Sequence, residues 1–215
     1  GGYIAKEGVI SPFNLPEGFT GKNILSIHQD HEGNIWIGTN GAGLIKKNVG
    51  NNDFTFYTMN DGLPCNQIKA IFEDRRQNLW IGTATGGLSL YKEGTFKSFN
   101  VSHGLSGNNI TAFCEDRQGN LWIGTHGKAV NRFRDGTFSI YDTKTGLRSD
   151  IVASLFEGRE GCLWIGTEGG GVERLKDKSF TILDTNSGLS HDLVFPIFED
   201  SGGDIYIGTQ GGGVN

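Results

Sequence analysis

The sequence predicts an all-β fold built from five copies of one unit of about forty residues. Glycine is abundant, with 35 residues, proline is scarce, with 4, and aromatic residues make up 11% of the 215-residue chain. This composition is typical of short strands joined by tight turns. One hexapeptide occurs five times at nearly constant spacing, and four strand-like runs fit into each period. A period in the low forties with four antiparallel strands is typical of a β-propeller blade.

The repeated hexapeptide is centred on one aromatic residue in each copy. It reads Asn34-Ile-Trp-Ile-Gly-Thr39 in the first copy and Asp204-Ile-Tyr-Ile-Gly-Thr209 in the fifth. The central residues, which follow one another at steps of 44, 42, 42 and 42, are Trp36, Trp80, Trp122, Trp164 and Tyr206. A repeated aromatic residue could stack on sugars, but one copy per blade at a fixed position is what packing between neighbouring blades requires. We therefore predict a structural role for these five residues.

Four strands, A to D, are predicted in each unit. In the second copy they cover 67–73, 78–83, 87–91 and 95–100, and each alternates apolar and polar residues between turn-forming ones. The A-to-B turn begins with Glu73 and Asp74, and an Asp at that position can cap the backbone N–H groups of a hairpin. Because the Glu-Asp pair recurs in other copies, we interpret it as part of the turn and not as a metal or acid-base site.

Composition and charge disfavour several kinds of partner. The net charge is −5 and no run of Lys or Arg occurs, which argues against nucleic acid and against membrane contact by this segment. The longest apolar stretches have strand length, and the first residues do not form a signal peptide. The three cysteines, Cys65, Cys114 and Cys162, fall at different positions of the repeat, so they form neither a disulfide framework nor a metal motif. We predict no cofactor.

The composite repeat resembles that of the two-component regulator propeller family. The third copy carries the pattern as Gly104-Leu-Ser-Gly-Asn-Asn-Ile110 followed by Glu115-Asp-Arg-Gln-Gly-Asn-Leu-Trp-Ile-Gly-Thr125, and close copies cover nearly the whole chain. The departures affect single units: Gly158 replaces the turn Asp, Tyr206 replaces Trp, and Lys128-Ala129 replaces Gly-Gly.

This resemblance implies a function and a location. Proteins with such repeats look like the periplasmic or other extracytoplasmic sensor regions of bacterial hybrid histidine kinases. The resemblance therefore implies ligand binding outside the cytoplasm, a signal to an output domain, and a possible homodimer within a receptor. In the best-known members the ligand is a fragment of a complex polysaccharide.

The ends of the chain leave two arrangements open. Residues 1–15 look like C and D strands, and 192–209 look like A and B strands. Pairing of these ends would give one domain spanning 1–215, closed as a five-bladed ring. The resemblance implies about seven blades per ring, so we expect the segment to be a piece of a longer receptor.

A ligand site is predicted on the face where the D-to-A and B-to-C loops meet. Positions identical in every copy serve the fold, so specificity must come from varied positions on that face. Amides, carboxylates and a histidine suit neutral, hydroxyl-rich ligands such as an oligosaccharide. The candidate residues are Asn40, Asn66, Asn108, His126, Lys128, Asp150, Glu168, Asp192 and Gln210.

Three functions remain open from the sequence. The first is a sensor for an oligosaccharide-like or other small polar ligand. The alternative is a protein-interaction scaffold or a lectin-like propeller without a signalling output. The third, a propeller lyase or hydrolase, would need a few unrepeated His, Glu or Asp residues in the central funnel, and we identify no catalytic residue. His103, His126 and His191 lie in or near the loops but not at metal-ligand spacing.

Overall fold

The computed structural model describes residues 2–6, 9–13, 23–51, 53–177 and 179–215. The chain forms two compact units, Gly1–Ser98 and Phe99–Asn215. The helical elements of the described residues are the short 3-10 turns Met59–Asp61, Val101–His103 and Thr185–Ser187. No helix in these ranges is long and apolar enough to cross a membrane. The predicted all-β fold of four-stranded antiparallel blades is confirmed.

The first unit contains a two-stranded hairpin and two four-stranded antiparallel sheets, and the strands of each follow chain order. The second sheet ends in a strand that reaches the first residue of the second unit. The strands are β1 (Gly2–Lys6), β2 (Val9–Phe13), β3 (Ile24–Gln29), β4 (Ile35–Thr39), β5 (Leu44–Lys47), β6 (Phe54–Tyr57), β7 (Ile68–Glu73), β8 (Leu79–Thr83), β9 (Leu88–Lys92) and β10 (Thr95–Phe99).

The second unit contains two four-stranded sheets and one three-stranded sheet, again in chain order. Its strands are β11 (Ile110–Glu115), β12 (Leu121–Thr125), β13 (Ala129–Arg134), β14 (Thr137–Tyr141), β15 (Val152–Glu157), β16 (Leu163–Thr167), β17 (Gly171–Lys176), β18 (Ser179–Leu183), β19 (Val194–Glu199), β20 (Ile205–Thr209) and β21 (Gly213–Val214). A single domain spanning 1–215, and pairing of residues 1–15 with 192–209, both stay predictions.

The strand register gives each sheet two different apolar faces. In repeat 3, Ile123 lies opposite Phe113 and Trp122 lies opposite Cys114. Successive side chains of a strand point to opposite faces, so the Trp and the flanking Leu and Ile of one hexapeptide cannot share a face. Within a unit, a sheet therefore presents its Trp to the sheet that follows, and that sheet presents its Leu and Ile to the Trp.

The core lies between these faces. Trp36 is 1% exposed and packs with Leu63, Ile68, Leu79 and Ile81 of the following repeat. In the second unit, Trp122 packs in the same way with Leu147, Val152, Leu163 and Ile165. Burying a large apolar side chain contributes about 1.5–3 kcal/mol. Trp36 and Trp122 thus each join their own repeat to the next one of the same unit, while Tyr206 of the fifth repeat is 44% exposed.

The glycine of the hexapeptide allows the sheets to approach each other. A Cβ placed on Gly124 would lie 2.7 Å from Val152 Cγ1, which belongs to the next repeat, and 3.0 Å from Thr111 Oγ1. A side chain at this position would push strand A of the next repeat away. Close packing between repeats 3 and 4 therefore requires glycine here.

Candidate functional site

The A-to-B turn is held by one buried carboxylate. Asp116, which is 7% exposed, accepts four hydrogen bonds. Its Oδ1 accepts from Gln118 N–H at 3.0 Å and Asn120 N–H at 2.8 Å. Its Oδ2 accepts from Asn120 Nδ2 at 2.6 Å and from Trp122 Nε1 at 2.7 Å. The Asp therefore fastens the hairpin and the core Trp at the same time.

The same role recurs at three other turns. Trp36 Nε1 donates to Asp30 Oδ2 at 2.7 Å, and Trp80 Nε1 donates to Asp74 Oδ2 at 2.9 Å. In repeat 5, the Tyr206 hydroxyl donates to Asp200 Oδ2 at 3.2 Å. Tyr206 thus keeps the hydrogen bond of the Trp that it replaces.

The electrostatics of Asp30 follow from these contacts. Burial acts to raise the pKa of its carboxyl, but the hydrogen bonds from Trp36 and Asn34, helped by the positive charge of Lys46, bring this pKa below its ordinary value. The group is therefore an ionised acceptor in the folded chain at neutral pH, as the turn role requires.

The Glu that ends strand A links neighbouring repeats of the same unit at three places. Glu157 Oε1 accepts from the backbone N–H of Arg117 at 2.8 Å, and Glu199 Oε2 accepts from that of Arg159 at 2.8 Å. In the first unit, Glu73 accepts from both the backbone N–H of His31 at 2.8 Å and its Nδ1 at 2.7 Å. Hydrogen bonding to Glu73 raises the pKa of His31. Each Glu therefore closes the repeat interface at the A-to-B end.

At the opposite end, four of the candidate rim residues hold the D-to-A loop. Each uses a side-chain oxygen to accept the backbone N–H seven residues earlier. The bonds are Met59 N–H to Asn66 Oδ1 at 2.8 Å, Val101 N–H to Asn108 Oδ1 at 3.1 Å, Thr143 N–H to Asp150 Oδ1 at 3.0 Å, and Thr185 N–H to Asp192 Oδ1 at 2.8 Å. These four side chains are half-buried. A role of theirs in ligand binding stays a prediction.

The candidates that follow each Gly-Thr lie on the B-to-C turns. In each turn the Thr hydroxyl donates to the carbonyl four residues later, as Thr125 Oγ1 does to Ala129 O at 2.7 Å. The next residue then points outward: Asn40, His126 and Gln210 are exposed and Glu168 is half-buried. Asn40 Oδ1 accepts from Gln67 Nε2 at 2.6 Å in the first unit. His126, Glu168 and Gln210 occupy equivalent turns of three consecutive repeats in the second unit.

Repeat 3 has an unusual B-to-C turn. Ala129 has φ of 109°, a region that glycine adopts readily and alanine does not. Lys128 is exposed and packs close to Gly107, where an added Cβ would lie 2.8 Å from Lys128 Cβ. In repeat 4 the glycine and the side chain exchange positions: Gly170 stands at the position of Lys128, and it lies beside Ser149, which stands at the position of Gly107. Repeat 3 therefore accommodates a cationic side chain at a position where repeats 4 and 5 have glycine.

A buried polar residue in strand C was missed by the sequence analysis. Asn131 Oδ1 accepts from Ser106 N–H at 2.9 Å, and Glu173 accepts from Arg148 N–H with both oxygens, at 3.0 and 3.1 Å. Both residues are fully buried. Burial raises the pKa of Glu173 to about 7. The equivalent residue in repeat 5 is Asn215, whose Oδ1 accepts from Ser190 N–H at 2.8 Å.

Clefts open at the A-to-B end, opposite the predicted rim. One of about 420 Å³ lies between repeats 1 and 2 of the first unit. In the second unit, clefts of about 280 Å³ and 400 Å³ lie between repeats 3 and 4 and between repeats 4 and 5. The Trp of the preceding repeat lines each cleft: Trp36, Trp122 and Trp164. No sequence motif marked these clefts, because each is formed by two repeats.

The histidines of the loops make local hydrogen bonds. His103 Nδ1 lies 3.0 Å from Asn100 Oδ1, and Leu193 N–H donates to His191 Nδ1 at 3.0 Å. Within the described ranges, no group of three or more His, Cys, Asp and Glu residues could hold a metal ion.

Comparison with known proteins identifies the repeat. The model of the two-component regulator propeller family matches residues 18–41, 62–85, 104–127 and 146–169. The extracellular domain of the hybrid two-component system BT3049 from B. thetaiotaomicron has a similar structure, with a TM-score of 0.87 and 22% identity over 98% of this chain and 30% of that one. That of BT4673 from the same organism has a TM-score of 0.74 and 22% identity over 88% of this chain and 29% of that one.

Other proteins share the fold at lower identity. Virginiamycin B lyase from Staphylococcus aureus has a TM-score of 0.72 and 16% identity, over 94% of this chain and 71% of that one. No curated protein matches the chain. The matches to the family model fall on four successive repeats, at the hexapeptides and the loops before them. The chain therefore carries at least four repeats of the two-component regulator propeller family.

Proposed function

We propose that the chain is the ligand-binding sensor propeller of a two-component signalling receptor, located outside the cytoplasm, and that its ligand is an oligosaccharide-like molecule bound at the B-to-C turns. The family and the similarity to extracellular domains of hybrid two-component systems support the sensor role. The chain covers 30% and 29% of those proteins, so the signalling role of the whole protein is part of this proposal.

The proposed site rests on the B-to-C turn of repeat 3, where Lys128-Ala129 replaces Gly-Gly. An alanine at φ of 109° is strained, and strain of this kind persists where function requires it. The strained turn presents His126 and Lys128, which are both exposed. Equivalent turns of the next two repeats add Glu168 and Gln210. Together these side chains offer the directional donors and acceptors that hydroxyl-rich ligands need.

We infer binding and not catalysis. The shifted carboxyl groups Asp30, Asp184 and Asp200 all accept hydrogen bonds that hold turns of the repeat. Glu173, a carboxyl group whose pKa is raised by burial, accepts the backbone N–H of Arg148. The lyase similarity is a similarity of fold at 16% identity.

The proposal is tested by calorimetric titration of the chain with xylo-, manno-, gluco- and galacto-oligosaccharides. We expect one class to bind, and His126→Ala and Lys128→Gly each to weaken that binding about tenfold or more, as loss of about 1.4 kcal/mol predicts. Lys128→Gly restores the residue found at Gly170 and Gly212, so it should leave the fold intact. Lys176→Gln is the control. Lys176 lies in strand C of repeat 4, at the end away from the B-to-C turn, so this variant should bind as the parent does.

The variant Asp150→Asn distinguishes two roles of the D-to-A residues, holding the loop and binding the ligand. Asn66 and Asn108 show that an amide can hold this loop, so the variant should bind ligand normally. Loss of binding in Asp150→Asn would assign Asp150 to the ligand site. Failure of all oligosaccharides to bind, or equal losses in Lys128→Gly and Lys176→Gln, would contradict the proposal and favour an interaction scaffold.

A further inference from the structure

Repeat 4 differs from its neighbours in the A-to-B turn, where Gly158 replaces the aspartate. In repeat 3 the carboxylate of Asp116 accepts from two backbone N–H groups and from the indole N–H. The corresponding donors in repeat 4 are Glu160 N–H, Cys162 N–H and Trp164 Nε1. No acceptor among the described residues receives a hydrogen bond from any of these three.

The backbone of the turn is nevertheless the same. Gly158 N–H donates to Cys162 O at 2.9 Å, and Gly161 N–H donates to Gly158 O at 2.9 Å. In repeat 3, Asp116 N–H and Gly119 N–H make the matching bonds at 3.0 and 2.9 Å. The backbone donors of repeat 4 therefore keep the arrangement that surrounds a carboxylate in repeat 3, although the carboxylate itself is absent.

The position is open to small molecules. Gly158, Glu160, Cys162 and Trp164 line the cleft of about 400 Å³ between repeats 4 and 5. Trp164 is half-buried, whereas its equivalent Trp122 is 5% exposed. The indole lies close to the backbone, since a Cβ on Gly158 would be 2.9 Å from Nε1. A side chain at Gly158 would therefore require the indole to shift. Because Trp164 is half-buried and lines the cleft, a ligand oxygen that enters from the cleft can reach its N–H.

The charges around the cleft are compatible with an anion. The guanidinium of Arg174 lies 5.8 Å from the centre of the Trp164 ring. Glu199 is close by and carries a negative charge, but this carboxylate already has partners. Its Oε2 accepts from the backbone N–H of Arg159 at 2.8 Å, and its Oε1 lies 3.7 Å from the Arg159 Nε. In repeat 3 the turn carboxylate of Asp116 coexists with the equivalent residue, Glu157. Glu199 therefore does not exclude a carboxylate.

We propose that this notch, formed by Gly158, Glu160, Cys162 and Trp164, binds the carboxylate group of a small molecule. One carboxylate oxygen accepts from the backbone N–H groups of Glu160 and Cys162, and the other accepts from Trp164 Nε1. The ligand thereby supplies the group that an aspartate provides in the other described turns. This site is separate from the B-to-C turns and does not depend on the proposed oligosaccharide binding.

The experiment is an NMR titration of the 15N-labelled chain with sodium acetate, which follows its four indole N–H resonances. We expect the Trp164 resonance to shift saturably, while Trp36, Trp80 and Trp122, whose indoles already donate to Asp, keep their positions. Sodium chloride at the same ionic strength is the control for screening. Glucuronate and glucose form a second arm: glucuronate, which carries a carboxylate, should shift the Trp164 resonance, and glucose, which carries none, should not.

Two variants complete the test. Gly158→Asp places a carboxylate in the notch and should weaken acetate binding at least about tenfold. The introduced aspartate accepts the hydrogen bonds that acetate would otherwise receive. Trp164→Phe keeps the turn but removes the indole donor, and its response is followed through the amide resonances of Glu160 and Cys162. Unmoved indole resonances of the other repeats show that each variant is folded. The proposal is overturned if acetate leaves Trp164 unshifted, shifts all four indoles alike, or binds Gly158→Asp as tightly as the parent.

Discussion

Removal of the Asp116 carboxylate tests the idea that a single aspartate stabilises both the A-to-B turn and the core Trp of its repeat. Asp116→Ala leaves four donors without an acceptor at a site that is 7% exposed. Hydrogen bonds to charged groups contribute about 1.5–3 kcal/mol each, but bonds that share one acceptor are not additive. We therefore expect the free energy of unfolding to fall by about 3–5 kcal/mol, the range seen when one partner of a buried charged contact is removed.

The chain offers a matched control in the fifth repeat. Asp200 accepts from Gly202 N–H, Asp204 N–H and the Tyr206 hydroxyl, but Tyr206 is 44% exposed. Water can replace the lost acceptor there, so Asp200→Ala should reduce the free energy of unfolding by much less than Asp116→Ala does. Urea unfolding followed by circular dichroism and by Trp fluorescence compares the two variants at pH 7. Equal losses in Asp116→Ala and Asp200→Ala would refute the reasoning.

Three further predictions use the same unfolding assay. Trp122→Ala should destabilise the chain by about 3–5 kcal/mol, since it opens a cavity between repeats 3 and 4; a melting temperature within about two degrees of the parent would contradict this. Gly124→Ala should cost about 1–3 kcal/mol through the contact with Val152, and a change below about 0.5 kcal/mol would show that the repeats can separate freely. Burial raises the pKa of Glu173 from 4.5 to about 7, so the folded chain holds a proton that the unfolded chain has released in that window. Stability should therefore fall as the pH rises between these values, and Glu173→Gln should be more stable than the parent by about 1–3 kcal/mol at pH 8 but not at pH 4.5. The same difference at both pH values would mean that ionisation of Glu173 is not the cause.

Much of the fold could be predicted because five copies of one repeat can be compared with one another within the same chain. The predicted strands recur at fixed positions of the repeat, and the turn Asp does so in all repeats but the fourth; local alternation and turn chemistry determine both. The interface Glu could not be assigned in the same way. Its partner is a backbone N–H about forty residues earlier in the chain, as Glu157 and Arg117 show. Only the packing of neighbouring repeats brings these groups together.

The candidate ligand residues illustrate a different limit. Variation among Asn66, Asn108, Asp150 and Asp192 was interpreted as ligand specificity, yet all four accept a backbone N–H in equivalent loops. Asn and Asp both provide a short side chain with an acceptor oxygen. Exchange between them therefore preserves the loop and carries little information about a ligand. Variation between unlike residues, as among His126, Glu168 and Gln210, is the better guide.

The buried strand-C residues show how a donor fixes the choice of acceptor. Asn131 and Glu173 each accept the N–H found twenty-five residues earlier, at Ser106 and Arg148. In repeat 2 that earlier residue is Pro64, which has no N–H to donate. Its strand-C counterpart is Ser89, which is too short for this role and instead bonds to the Ser98 hydroxyl at 2.7 Å. The acceptor thus disappears where the donor does, which indicates that Glu173 is needed to satisfy a backbone group and that its carboxyl is part of the scaffold.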